Sequence, residues 1–380
     1  MTRMFLTVTL AASLMACGDT DEVLPDANAP TADAAPRADA MNQVDAAPTS
    51  IAYAVGTDFS TAGVLSTVEL PSLTLTANAI AAVASTDPAV RYYDGKLYII
   101  NRFGFDNVTI IDPSTGLLVD QISTGAGTNP QDVAVKGDKI YVCALNSGDI
   151  IILDAANPTA TPATIDISSY DGVDGKPDCG SLYLVGDKLF ATLALLDGTF
   201  TSQGGKVLVV DTTNDTVSSD FDLTYNNPFG ALRGTPAGGA LNGDLLITTT
   251  EDFGSGNGCV ERITTGATPA SGGCLVQNSA LGGYASGISV VGDKVWLAVN
   301  TSFTESKFVS VSTAGTLDDT SITPGGQQPT DFAVCPTGEI VMNDSTAGGL
   351  RVYSSAGTEL TTGALDIGQP PAFSGGIVCF

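Results

Sequence analysis

Apolar and polar positions alternate in short runs along most of the chain, and the runs recur. In residues 137-154 a Gly-Asp-Lys turn is followed by Ile140-Tyr141-Val142-Cys143-Ala144-Leu145, a short polar loop, and Ile150-Ile151-Ile152-Leu153 closed by Asp154. A tight Gly-Asp turn leading into β-branched and aromatic residues predicts a hairpin, and the second apolar run predicts a further strand. The turn returns as Asp94-Gly95-Lys96, Gly186-Asp187-Lys188, Asn242-Gly243-Asp244, Gly292-Asp293-Lys294 and Thr337-Gly338-Glu339. A first strand precedes it, as at 132-135 and 286-291, and a second follows it, as at 97-100, 189-195 and 295-299. A third strand is expected at 108-112, 150-154, 207-211, 308-312 and 350-354, with a more polar and less regular fourth. Intervals of 43 to 56 residues between turns suit one four-stranded propeller blade each.

Six turns are complete, and the two ends supply the parts of a seventh blade. Residues 51-55, Ile-Ala-Tyr-Ala-Val, read as a second strand without a first, and residues 375-380, Gly-Gly-Ile-Val-Cys-Phe, as a first strand without a second. Pairing them would remove the open edges that invite aggregation. The expectation is an all-β, seven-bladed β-propeller over residues 51-380; six blades with an irregular N-terminal cap is the alternative.

Tyr98-Ile99-Ile100-Asn101, then Asp106-Asn107-Val108-Thr109-Ile110-Ile111-Asp112 and the turn Pro113-Ser114-Thr115-Gly116, resemble the Tyr-Val-Thr-Asn (YVTN) repeat of bacterial propellers. The match is good over 88-160, fair over 177-215 and 283-354, and poor around 228-280. The resemblance implies the seven-bladed fold; that family has no single activity, so it implies no catalytic residues.

The first fifty residues differ from the rest. Arg3 precedes an apolar run from Met4 to Ala16, too short to span a bilayer and ordered like a secretory signal. Its end, Leu14-Met15-Ala16-Cys17, resembles the lipobox of bacterial lipoproteins, which implies cleavage after residue 16 and acylation of Cys17. The plainer alternative is an ordinary signal peptide with an incidental cysteine. Aspartate, which commonly retains such proteins in the inner membrane, comes only at Asp19 and not at Gly18, so the outer membrane is expected. Residues 17-50 are rich in Asp, Ala, Pro and Thr without an aromatic residue, a composition that cannot offset ordering entropy; a disordered acidic tether is expected.

Composition narrows the chemistry. Lys and Arg number 15 against 41 Asp and Glu, a net charge of -26, which disfavours nucleic acid as a partner. The sequence has no histidine, which excludes His-based triads and the usual zinc, copper and haem ligand sets. Carboxylate chemistry and oxygen-ligated Ca²⁺ remain open. Beyond Cys17 there are six cysteines, and in an exported chain an even count suggests disulfides. The blade arrangement pairs Cys259 with Cys274 within one hairpin, Cys143 with Cys179 across neighbouring blades, and Cys335 with Cys379 at the closing clasp. Buried free thiols are the alternative.

Propeller ligands usually sit where the loops entering first strands and leaving second strands converge on the channel. From those loops the candidate ligand-binding residues are Arg102, Phe103, Phe105, Asp132, Asp252, Phe253, Tyr284 and Asp331. Asp132 and Asp331 each follow a Pro-x pair, and a carboxylate capping its own turn is the plainer reading. Asp171, Asp174 and Asp178 have the spacing of a Ca²⁺ loop, but Lys176 intrudes and the terminal Glu is missing. No Cys-x-x-Cys is present, no resident cofactor is expected, and Trp296 aligns with Tyr98 and Tyr141 as a core residue. The sequence therefore points to a monomeric, lipid-anchored envelope module that binds an unknown protein or glycan without catalysis. The alternative is a carboxylate-dependent lyase, lactonase or glycoside-active enzyme, with or without Ca²⁺.

Overall fold

A computed structural model describes residues 49-380, apart from 61, 82, 172, 252, 254-255, 319-321 and 323-325. Cys17, the expected signal and nearly all of the expected tether lie outside the described residues. Strands form seven separate antiparallel sheets, five of four strands and two of three. Blade 1 joins Ile377–Cys379 to Ser50–Gly56, Val64–Leu70 and Thr74–Ile80. Blades 2 to 5 cover residues 88-123, 130-166, 179-222 and 228-277, and blades 6 and 7 cover 284-312 and 332-353. In the last two the fourth strand shrinks to isolated bridges, Val311 to Leu317 in blade 6, and Leu350 to Leu365 and Tyr353 to Glu359 in blade 7. Among the described residues no helix is long and apolar enough to cross a membrane.

The near-continuous apolar strands follow from burial on both faces. Leu97 and Ile99 pack with Tyr53, Val55 and Leu65 of blade 1, whereas Tyr98 and Ile100 pack with Val133, Ile140 and Val142 of blade 3. Alternate side chains of one strand thus fill two inter-blade cores. One apolar cluster lies between each adjacent pair of blades around the ring. Trp296 is buried in the cluster between blades 6 and 7, stacked on Phe308.

The repeated turns are the hairpins between first and second strands. Asp94 and Gly95 both adopt positive φ, and Gly137, Gly186 and Gly292 adopt φ near +60°, the backbone that matches strand twist in a two-residue loop. Blade 1 closes the ring by pairing residues 52-54 with 377-379 in antiparallel register. All three expected disulfides are present, Cys143–Cys179, Cys259–Cys274 and Cys335–Cys379, with Cα separations of 5.1, 5.7 and 5.0 Å.

Candidate functional site

Side-chain hydrogen bonds hold the loops at the end of the channel where first strands begin. Asn101, the last residue of the repeat motif, accepts from the Ser85 amide at 2.8 Å and donates to Asn107 and Thr109. Asn343 in blade 7 accepts from the Thr330 and Asp331 amides at 2.7 and 2.8 Å. An asparagine at the end of a second strand can satisfy amides of the incoming loop that no strand partner reaches. Asp106 does the same for the next loop, accepting from Gly127 and Asn129.

These loops surround a cavity of about 330 Å³ over the mouth of the channel. Blade 2 contributes Ala89, Arg91 and Arg102; blade 3 contributes Gln131 and Leu145; blade 4 contributes Asp178, Leu196 and Phe200. The segment from Asn227 to Ala231 and Phe253, both of blade 5, complete the wall with Ser374 and Gly375. Phe229, Phe253 and Tyr284 pack edge to face on one another, with ring centroids 5.2 to 5.9 Å apart, and form an aromatic corner. Arg102 is ion-paired to Asp87 at 2.6 Å.

Asp178 is the one carboxylate among the described residues lining this cavity. Burial pushes its pKa up to about 6, despite a 2.6 Å hydrogen bond from the Leu196 amide, and Asp174 and Asp171 nearby add to the rise. The Asp171 carboxylate accepts from the amides of Val173, Asp174 and Gly175, and Asp174 accepts from Lys176 N, so both act as turn caps. Among the described residues no group of three carboxylate or cysteine side chains is placed to hold a metal ion.

Of the residues singled out from the sequence, Arg102, Phe253 and Tyr284 come together at the cavity or its rim. Phe103 and Phe105 are exposed on the neighbouring loop but do not line it, and Asp252 lies outside the described residues. Asp132 and Asp331 are buried, 1% and 2% exposed, and line neither the cavity nor its rim. Neither simply caps its own turn. Asp132 binds Arg91 of blade 2 and Ser181 and Leu182 of blade 4, while Asp331 accepts from the Gly376 amide of blade 1 at 2.7 Å. Sequence reasoning missed Arg91, Phe200 and Phe229 as site residues. Phe200 follows a second strand and Phe229 starts a first strand, the two kinds of position that the loop argument assigns to this rim, whereas Arg91 sits inside a strand, and alternation cannot tell a channel position from an interface position.

The phenylalanines show a wider pattern. Every exposed phenylalanine among the described residues, Phe59, Phe103, Phe105, Phe200, Phe253, Phe303 and Phe373, lies in a loop at this end of the channel. They come from blades 1, 2, 4, 5 and 6, and Phe200 and Phe303 are 79% and 84% exposed.

No protein-family model matches the chain, and no curated protein matches it. Solved structures similar to it include a quinonprotein alcohol dehydrogenase-like protein from Bacteroides thetaiotaomicron, at 12% identity over 83% of this chain and 76% of that one, TM-score 0.56. Virginiamycin B lyase from Staphylococcus aureus gives 12% identity over 74% and 85%, TM-score 0.54. AztD from Citrobacter koseri gives 10% identity over 87% and 98%, TM-score 0.53. At these identities the likeness shows the propeller fold and nothing finer.

Proposed function

We propose that the chain is a lipid-anchored binding module of the bacterial cell envelope, which captures an apolar partner on its aromatic loop face and does no chemistry on it. The observation that carries this reading is the confinement of all exposed phenylalanines among the described residues to one face, around a ready-made cavity. Exposed large apolar groups cost solubility, and their collection at one rim of a ring marks an interaction surface. The anchor rests on the Leu14-Met15-Ala16-Cys17 sequence, and the outer membrane on Gly18 following Cys17.

One observation favours an enzyme instead: Asp178, with its raised pKa, is suited to proton transfer near neutral pH. Hydrolytic carboxylate chemistry needs a second carboxylate within about 5 to 10 Å across the reacting bond, whereas Asp178 is the single carboxylate among the described residues lining the cavity. Binding is therefore the better reading.

The test uses the Cys17→Ser protein and Nile red, an uncharged apolar fluorophore. Saturable binding with blue-shifted emission is expected. Each of Phe200→Ser and Phe253→Ser should weaken it about tenfold to a hundredfold, from the roughly 1.5–3 kcal/mol that burial of one such ring supplies. No saturable binding, or binding unaffected by both substitutions, overturns the reading. Turnover of a lactone or glycoside that is lost in Asp178→Asn would put the enzyme in its place.

A further inference from the structure

The opposite end of the channel holds a second cavity, of about 350 Å³, lined by Arg91, Tyr93, Tyr183, Arg233, Ser289 and Phe332 among others. Here a residue that the loop-face reading does not use stands out. Of the described arginines, Arg91, Arg102, Arg262 and Arg351 are each ion-paired, to Asp132, Asp87, Asp244, and Asp344 with Glu359. Arg233 has no such pair among the described residues. It donates through Nε to the Ile288 carbonyl at 3.2 Å, and its terminal nitrogens donate to no described protein acceptor. Arg233 is half-buried, and the space it borders is this second cavity.

The neighbouring charges do not answer it. Asp132 is occupied by Arg91, Ser181 and Leu182, and Asp331, which faces the same stretch, accepts from Gly376 and lies beyond ion-pair distance. Tyr93 donates to the Val133 carbonyl at 3.1 Å and offers its ring as wall, whereas the Tyr183 hydroxyl makes no described hydrogen bond and borders the same space. Asp331 and Asp132 attract the guanidinium from beyond ion-pair distance, so its charge is offset but its terminal nitrogens are left unbonded; unmet donors withdrawn from bulk water are costly, and their planar fork matches an oxyanion.

We propose that this lower vestibule is an anion site, in which the terminal nitrogens of Arg233 and the Tyr183 hydroxyl hold a small carboxylate or phosphate group, with the tyrosine and phenylalanine rings enclosing whatever carries it. It is separate from the aromatic loop face and does not depend on that surface having a partner.

The test is calorimetric titration of the Cys17→Ser protein with inorganic phosphate and, separately, with benzoate, at constant ionic strength. Saturable binding of at least one is expected. Tighter phosphate binding identifies a phosphate-type ligand, and tighter benzoate binding a carboxylate on an apolar body. Arg233→Gln should weaken binding at least tenfold and Tyr183→Phe several-fold, while Lys206→Gln, on the third strand of blade 4 and ion-paired to Asp220 and Asp222, should leave it unchanged. Should Arg233→Gln fail to fold, Ser289→Trp, which fills the vestibule with Arg233 intact, must abolish binding. Binding of neither anion at millimolar concentration, or binding by the Arg233 and Ser289 variants as tight as that of the Cys17→Ser protein, overturns the site.

Discussion

The Asp132 carboxylate receives hydrogens from three blades: Arg91 Nε at 2.8 Å from blade 2, the Val133 amide at 2.9 Å from its own, and Ser181 Oγ and the Leu182 amide at 2.8 and 3.0 Å from blade 4. Removing it strands a buried guanidinium as well as three other donors. Asp132→Ala is therefore expected to lose about 3–5 kcal/mol, the range for breaking one side of a buried pair, measured by urea unfolding; a loss under about 1 kcal/mol would show that the ring does not rely on this latch. Asp178 behaves oppositely. With its folded pKa raised to about 6, the folded state holds a proton that the unfolded chain, with an ordinary aspartate, has already released. Between the ordinary value and pH 6 stability falls as pH rises, since the unfolded state binds fewer protons there. Asp178→Asn should flatten that slope and add about 1–2 kcal/mol at pH 8, discounted for the water that reaches the cavity. A variant with an unchanged slope between pH 4 and 7 would show that the carboxyl is not held protonated.

At the scale of strands, the weakest ladders are those that close the ring. The first strands of blades 7 and 1, Phe332–Val334 and Ile377–Cys379, are each three residues long and pair over three positions. Cys335–Cys379 joins the ends of these two short strands across a separation of 44 residues. Chain entropy assigns such a loop about 4 kcal/mol, so Cys335→Ser with Cys379→Ser should lower the unfolding free energy by that order, more than loss of the 15-residue Cys259–Cys274 loop, about 3 kcal/mol. Equal effects would argue that strain or residual structure outweighs loop entropy. The same scale explains what could be read from the sequence. Gly137, Gly186 and Gly292 mark their hairpins because the turn demands positive φ there, a local requirement written in one or two residues. Blade 5 resisted because its first hairpin spans residues 235-244, so the expected turn Asn242-Gly243-Asp244 is the end of a ten-residue loop and not a two-residue turn, and because its register slips between Phe229 and Arg233. The fourth strands of blades 6 and 7 escaped because they survive only as single bridges. The site was legible as a set of loops, and Arg102 and Phe253 were found that way. Arg233 was not, since its isolation depends on five other acidic residues having chosen other arginines.

Across the whole molecule, closure is the decisive feature, and the C-terminal five residues carry a disproportionate share of it. Ile377–Cys379 supplies the first strand of blade 1, the Gly376 carbonyl accepts from the Val55 amide at 2.9 Å, and the Gly376 amide donates to Asp331 of blade 7. The Phe380 ring stacks on Tyr92 of blade 2 with centroids 3.6 Å apart and on Tyr53 at 5.2 Å. A chain ending at Gly375 would keep six complete blades and still expose the strand from Ser50 to Gly56, whose side chains are almost all buried in the intact ring. An apolar strand with a free row of amides and carbonyls is a template for another chain. Deletion of residues 376-380 is therefore expected to give soluble oligomers or aggregates by light scattering, with cooperative unfolding lost, although every inter-blade core from blade 2 to blade 7 is left intact in sequence. A monomeric truncated protein that unfolds like the full chain would mean that six blades can hold the ring shut, and that the pairing of the two ends is an ornament of the fold rather than its closure.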